Sequence, residues 1–107
     1  MASLFAYGTL QREDIQLDLF QRILEGAPDR LAGYAGTAIN LAGGDGRYAQ
    51  YPAIYPTGDL NDVVEGIRYQ VSEDDLQKAD EYEGESYRRA EVILESSELA
   101  WVYVAAT

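Results

Sequence analysis

The stretch FAYGTLQ, Phe5 to Gln11, decides how the chain begins. Before it and through Tyr7, SLFAY (Ser3 to Tyr7) is a short apolar run that reads as a buried strand. After it, QREDIQLDLFQRILEG places Ile15, Leu19 and Ile23 at i, i+4 and i+8, with Phe20 and Leu24 beside them. That spacing is one apolar stripe on a helix. Gly26 followed by Pro28 is a helix-ending pair, so the expected helix runs for about 13 residues. Tyr7-Gly8-Thr9-Leu10 is then a strand-to-helix turn. Gly8 permits close backbone approach, and Thr9 is placed to cap the helix. The N–H groups of such a turn point outward at the positive end of a helix dipole, where an anion binds without any basic side chain. The turn is therefore either an ordinary capped connection or a cradle for a carboxylate or carbonyl oxygen.

Working outward, LAGYAGTAINLA (Leu31 to Ala42) reads as one strand that bends at its glycines. GGDG (Gly43 to Gly46) reads as a turn. YPAIYPTGDLND holds two prolines, which predicts a short edge strand and then a loop. VVEGIRYQV (Val63 to Val71) alternates as a strand, with Val63, Ile67, Tyr69 and Val71 on one phase. Ser72, with Asp75 three residues on, resembles a capping box that starts a second helix, and Gly84 is its natural stop. YRRAEVILES and ELAWVYVAA read as two final strands. The order is roughly β-α-β-β-β-α-β-β in a single domain over residues 1–107, with no repeat and no linker. The predicted class is α+β: a mixed, bent or closed β-barrel flanked by two helices.

Composition narrows the chemistry. The chain has 107 residues, a formal charge of −11, no histidine and no cysteine. That acidity opposes a nucleic-acid partner, since phosphate binding rests on basic patches, and its plain consequence is solubility. No stretch approaches the roughly 20 apolar residues of a membrane span. A cytoplasmic location is expected. Without histidine and cysteine, the commonest general base and the thiolate metal ligands are missing. Chemistry must come from carboxylates, phenols, hydroxyls or main-chain groups, and no metal or other cofactor is implied.

The second helix singles out one acid. Counting about 100° per residue from Leu76, Ala79 falls at about 300° and Glu83 at about −20°. Glu83 thus points where Leu76 points, into the apolar side, whereas Asp74, Glu81 and Tyr82 fall elsewhere and can stay wet. Such a glutamate either pairs with Arg88 or Arg89, caps a backbone group or frays into solvent, or it is buried. Burial would raise its pKa and make it a usable base near neutral pH.

Three motifs in order resemble the γ-glutamylcyclotransferase-like proteins, the group that includes the γ-glutamylamine cyclotransferases and the AIG2-like proteins. They are Tyr7-Gly8-Thr9, Asp80-x-x-Glu83-Gly84 and Tyr87-x-Arg89. YPAIYP (Tyr51 to Pro56) and VVEGIRYQV are similar to the family's middle segment. The resemblance implies a mixed β-barrel with flanking helices. It implies Glu83 as the catalytic acid–base group and Tyr7, Gly8, Thr9 and Leu10 as part of the substrate pocket. Tyr87 joins them as a pocket residue, and the hydroxyls of Tyr7 and Tyr87 are expected to donate hydrogen bonds to the substrate, although packing is an equal role for both. The implied reaction releases 5-oxoproline and an amine or amino acid from a small γ-glutamyl compound, whose own α-amine is the nucleophile. The alternative is a non-catalytic module that binds a small carboxylate-bearing metabolite. Leaving-group choice is expected to depend on Ala42 to Asp62.

Overall fold

The computed structural model describes residues 2–42 and 48–106. Strand β1 (Ala2–Ala6) leads into a 3-10 turn (Thr9–Gln11) and helix α1 (Glu13–Phe20). Strands β2 (Gly26–Ala32), β3 (Tyr34–Ala42), β4 (Tyr48–Pro56) and β5 (Val63–Val71) follow, then helix α2 (Glu73–Glu83) and strands β6 (Tyr87–Ile93) and β7 (Leu99–Ala105). The turn expected at Gly43 to Gly46 lies outside the described residues.

Five strands form a mixed sheet in the order β2-β5-β1-β7-β6. β1 is central, antiparallel to β5 and parallel to β7, with Leu4 opposite both Tyr69 and Trp101. β3 and β4 pair only with each other, antiparallel, as a separate ribbon. The α+β class with two helices matches expectation. A closed barrel does not form among the described residues: the ribbon departs from β2 at Gly33, whose φ of 86° is a left-handed conformation that glycine adopts without strain.

Alternation along β1 separates two cores. Leu4 and Ala6 face Leu10, Phe20, Leu24, Leu76 and Ala79 on the helical side. Phe5, between them, faces Leu31, Ile54, Val102 and Val104 on the ribbon side. The molecule is thus helices, sheet and ribbon in three layers, and β1 ends at the cavity described below.

The sequence reading of the first helix needs correction. α1 stops at Phe20, with Gln21 in the left-handed region at φ 58°, and Gly26 and Pro28 belong to strand β2. The reason is a buried polar side chain. The Gln16 amide donates to the Leu10 carbonyl at 2.9 Å and its oxygen accepts from the Leu24 N–H at 2.9 Å. That bond is possible only if the chain leaves the helix and doubles back past Gln16. Ile23, assigned to the apolar stripe, is consequently exposed. Leu31 to Ala42 is likewise two strands rather than one, and the proline-bearing segment forms a nine-residue edge strand, longer than expected.

α2 matches the reading from its first turn. Ser72 Oγ accepts from the Asp75 N–H at 3.1 Å, and Asp75 Oδ2 accepts from the Ser72 N–H at 2.9 Å. The Arg22 guanidinium holds the same buried carboxylate through two bonds, of 3.1 and 2.6 Å. The arginine bonds, ahead of those from Ser72, outweigh burial and lower the Asp75 pKa from 3.8 to about 2.

A depressed carboxylate pKa contributes stability that is complete above the unfolded value and lost as pH falls through the folded one. Wild-type unfolding free energy is therefore expected to drop by about 2 kcal/mol more than that of Asp75→Asn between pH 5 and pH 2. Urea titrations across that range check it, and parallel pH profiles for the two proteins would refute the assignment.

Candidate active site

One cavity of about 270 Å³ lies where β1, the 3-10 turn, β4, α2 and the starts of β6 and the end of β7 converge. The turn contributes Tyr7 to Leu10, β4 contributes Tyr51 and Pro52, and α2 contributes Tyr82 and Glu83. Tyr87 and Tyr103 close the wall. All six expected site residues, Tyr7, Gly8, Thr9, Leu10, Glu83 and Tyr87, are brought together here.

Glu83 is positioned by helical phase. Leu76 and Ala79 are fully buried against the sheet, and Glu83, seven residues beyond Leu76, faces the same way in the last turn. It ends the helix, with Gly84 at φ 72° as the cap. Among the described residues its carboxyl has no ion-pair partner; Arg89 pairs with Asp80 instead, at 3.2 Å. Burial alone pushes the Glu83 pKa from 4.5 up to about 7.

The phenols around it are already committed as donors. Tyr7 donates its hydroxyl hydrogen to the Tyr103 carbonyl, and Tyr87 donates to the Pro52 carbonyl at 2.7 Å. Burial, then the neighbouring Tyr87 and Glu83, raises the Tyr7 pKa, and burial followed by Glu83 pushes Tyr87 up to about 12. Both rings stay neutral at physiological pH. Toward a ligand each oxygen can only accept, so the expectation that these hydroxyls donate to a substrate does not fit the geometry. They suit an ammonium group.

The turn also differs from expectation in one respect. Thr9 does not cap a helix: the α-helix starts only at Glu13, with no side-chain bond from its Arg12 cap. The Thr9 hydroxyl instead bonds the Tyr82 hydroxyl at 2.8 Å and ties the turn to α2. The turn closes through Gln11 N–H to the Gly8 carbonyl and Arg12 N–H to the Thr9 carbonyl. Among the described residues, the N–H groups of Gly8, Thr9 and Leu10 donate to no protein acceptor. The cradle's donors are therefore present without an α-helix dipole behind them.

Tyr51, Pro52, Tyr82 and Tyr103 escaped the sequence reading as site residues. Tyr103 sits within an apolar run whose alternation is that of any core strand, and Tyr82 does lie on the wet side of α2, 38% exposed, while still lining the cavity. The nine tyrosines of so short a chain were the available signal.

The family model described as Gamma-glutamyl cyclotransferase, AIG2-like, matches residues 4–107. A solution structure of a protein from Arabidopsis thaliana is 25% identical, with a TM-score of 0.74, over 98% of this chain and 62% of its own. A structure named gamma-glutamyl cyclotransferase has a TM-score of 0.76 at 16% identity, over 97% of this chain and 66% of its own. An uncharacterized protein from Homo sapiens has a TM-score of 0.73 at 20% identity, over 99% of this chain and 67% of its own. At these identities the last two speak for the fold alone. The chain spans 62% of the length of the Arabidopsis protein. Comparison with curated protein sequences gives no match.

A carboxyl whose pKa is raised on folding weakens the protein as pH climbs from the unfolded value, near 4.5, through the folded one, near 7. Glu83→Gln removes that penalty. The variant is expected to match wild type at pH 4 and to exceed it by about 2–3 kcal/mol at pH 8. Denaturant unfolding at the two pH values checks this, and a variant no more stable at pH 8 than at pH 4, relative to wild type, contradicts the burial.

Proposed function

The chain belongs to the AIG2-like γ-glutamyl cyclotransferase family, and from that premise we propose that it releases 5-oxoproline and a free amine from a small γ-glutamyl compound, with Glu83 as the acid–base group. The observation that carries the reading is a carboxyl with a pKa near 7, desolvated and without an ion-pair partner among the described residues, in the wall of a cavity that Gly8, Thr9 and Leu10 also line. A proton carrier works best when its pKa lies near the operating pH.

The reaction needs no protein nucleophile, which suits a chain without cysteine or histidine. Glu83 takes a proton from the substrate's α-ammonium. The amine so formed attacks the γ-carbonyl carbon, a five-membered lactam closes, and the bond to the leaving nitrogen breaks. Two protons leave the α-nitrogen in all and two arrive on the leaving nitrogen, so Glu83 can carry each in turn and end as it began. No water is consumed. The phenol oxygens of Tyr7 and Tyr87, fixed by their own donated bonds, accept from the α-ammonium and orient it. The N–H groups of Gly8 to Leu10 hold the substrate's α-carboxylate or the developing oxyanion. Holding the γ-glutamyl arm curled supplies much of the rate, since orientation contributes up to about 7–11 kcal/mol in favourable cases.

The test is 5-oxoproline release from a panel of γ-glutamyl amines, γ-glutamyl amino acids and glutathione, followed by mass spectrometry. Glu83→Gln is expected to lower turnover by about 100-fold or more on any compound the wild type cleaves. Glu81→Gln, one residue pair away on the exposed side, is expected to leave it unchanged. Equal turnover by Glu83→Gln and wild type rejects the assignment. Thermal stabilisation by γ-glutamyl compounds with no product would instead favour the metabolite-binding reading.

A further inference from the structure

Asp80, three residues before Glu83, meets the sheet through one oxygen, by a hydrogen bond and an ion pair. The Tyr103 hydroxyl of β7 donates to its Oδ1 at 2.6 Å, and the Arg89 Nε of β6 lies 3.2 Å from the same atom. Its main-chain carbonyl also takes the N–H of the Gly84 cap at 3.0 Å. The Arg89 guanidinium, held by Asp80 on one side, rests over the Trp101 ring at 4.6 Å on the other. The last turn of α2 is thus pinned to the two strands that close the cavity, and a cation beside the cavity is pointed at Asp80 rather than at Glu83.

We propose that Asp80 is a positioning residue with two tasks: it seats the turn that carries Glu83, and it keeps the Arg89 charge from Glu83. The proposal rests on the reading of Glu83 as the acid–base group, but its electrostatic content does not require turnover. The titratable groups lining the cavity with Glu83 are Tyr7 from the end of β1, Tyr51 from β4, Tyr87 from β6, Tyr103 from β7 and Tyr82 from its own helix. Asp80 and Glu83 are i and i+3 neighbours on α2, and the Arg89 charge of β6 is paired to Asp80. The Tyr103 hydroxyl sits within the field of Asp80, Arg89 and Glu83 together, which places Arg89 within electrostatic reach of the site. Burial raises the Glu83 pKa, and Arg89 pairs with Asp80 rather than with Glu83.

The pairing makes an opposite-sign prediction. Asp80→Asn leaves Arg89 positive and unpaired, so the Glu83 midpoint falls. Arg89→Gln leaves Asp80 negative and unpaired one turn from Glu83, so the midpoint rises. Each shift is expected to be about half a pH unit or more, since an added charge close to a desolvated carboxyl acts with little screening. The double variant returns near the wild-type midpoint, and Arg89→Lys, which keeps the charge, stays close to it. Asparagine still accepts from Tyr103, so the helix end keeps its seat. The measurement is a carbon-13 NMR titration of the Glu83 carboxyl in the four variants and wild type. Shifts of opposite sign, cancelling in the double variant, support the proposal. Shifts of the same sign, or none in either single variant, overturn it, because loss of packing alone would move both in one direction. A wild type that releases no 5-oxoproline would remove the catalytic reading and leave this result standing.

Discussion

Glu83 is kept largely out of water by packing, with no ion-pair partner among the described residues, and the rest of the cavity is arranged around that fact. Above pH 7 the arrangement costs about 3 kcal/mol, the free-energy equivalent of a carboxyl pKa moved from 4.5 to about 7. The helix that bears it offsets a cost of this size within two turns. A fully buried Leu76 contributes about 2 kcal/mol. The reciprocal Ser72–Asp75 box contributes about 1 kcal/mol more. The acid is therefore tolerated because its helix is anchored firmly at the opposite end.

The surrounding tyrosines keep the site neutral without satisfying the carboxyl. Each of Tyr7, Tyr87 and Tyr103 sends its hydroxyl hydrogen elsewhere, to the Tyr103 carbonyl, the Pro52 carbonyl and Asp80 respectively. These bonds fasten the end of β1 to β7, β6 to β4 and β7 to α2, and among the described residues they leave Glu83 with no donor. A donor aimed at Glu83 would stabilise the carboxylate and lower its pKa. The same phenols do structural work and preserve the basicity of their neighbour, which is why packing and pocket lining are not competing roles here.

The second half of the chain was legible because local chemistry and final structure agree. Val63 to Val71 alternates and forms a strand with those bounds; Ser72 and Asp75 cap α2; Gly84 ends it; and helical phase alone aims Glu83 inward. The first half misled because a tertiary bond overrides a local signal. Gly26 and Pro28 look like a helix stop, yet the helix ends at Phe20, six residues before Gly26, and the next residue, Gln21, takes a left-handed conformation that nothing in its side chain demands. The cause is Gln16 reaching from Leu10 to Leu24, a contact no periodicity encodes. Gly66 is a similar case. It holds a regular strand position, in register with Asp29, where any side chain would collide with the Ala6 carbonyl. Thr9 was read as a cap and is a latch, because Tyr82, its partner, lies 73 residues away.

The same distinction explains why the inward placement of Glu83 was more readable than the pocket's full outline. A reaction in which the substrate carries its own nucleophile asks the protein for one proton carrier, a few fixed acceptors and donors, and a shape. The placement of an inward acid is a local property of one helix and shows in its phase. The acceptors and the shape come from strands far apart in sequence, since β4 reaches the cavity only by leaving the main sheet with β3. Strong acidity fits this division. With a formal charge of −11, the chain cannot attract an anionic ligand by long-range field. A carboxylate-bearing ligand would then have to be recognised at short range and directionally, and main-chain N–H groups such as those of Gly8 to Leu10 are donors of that kind that place no positive charge beside Glu83 to lower its pKa.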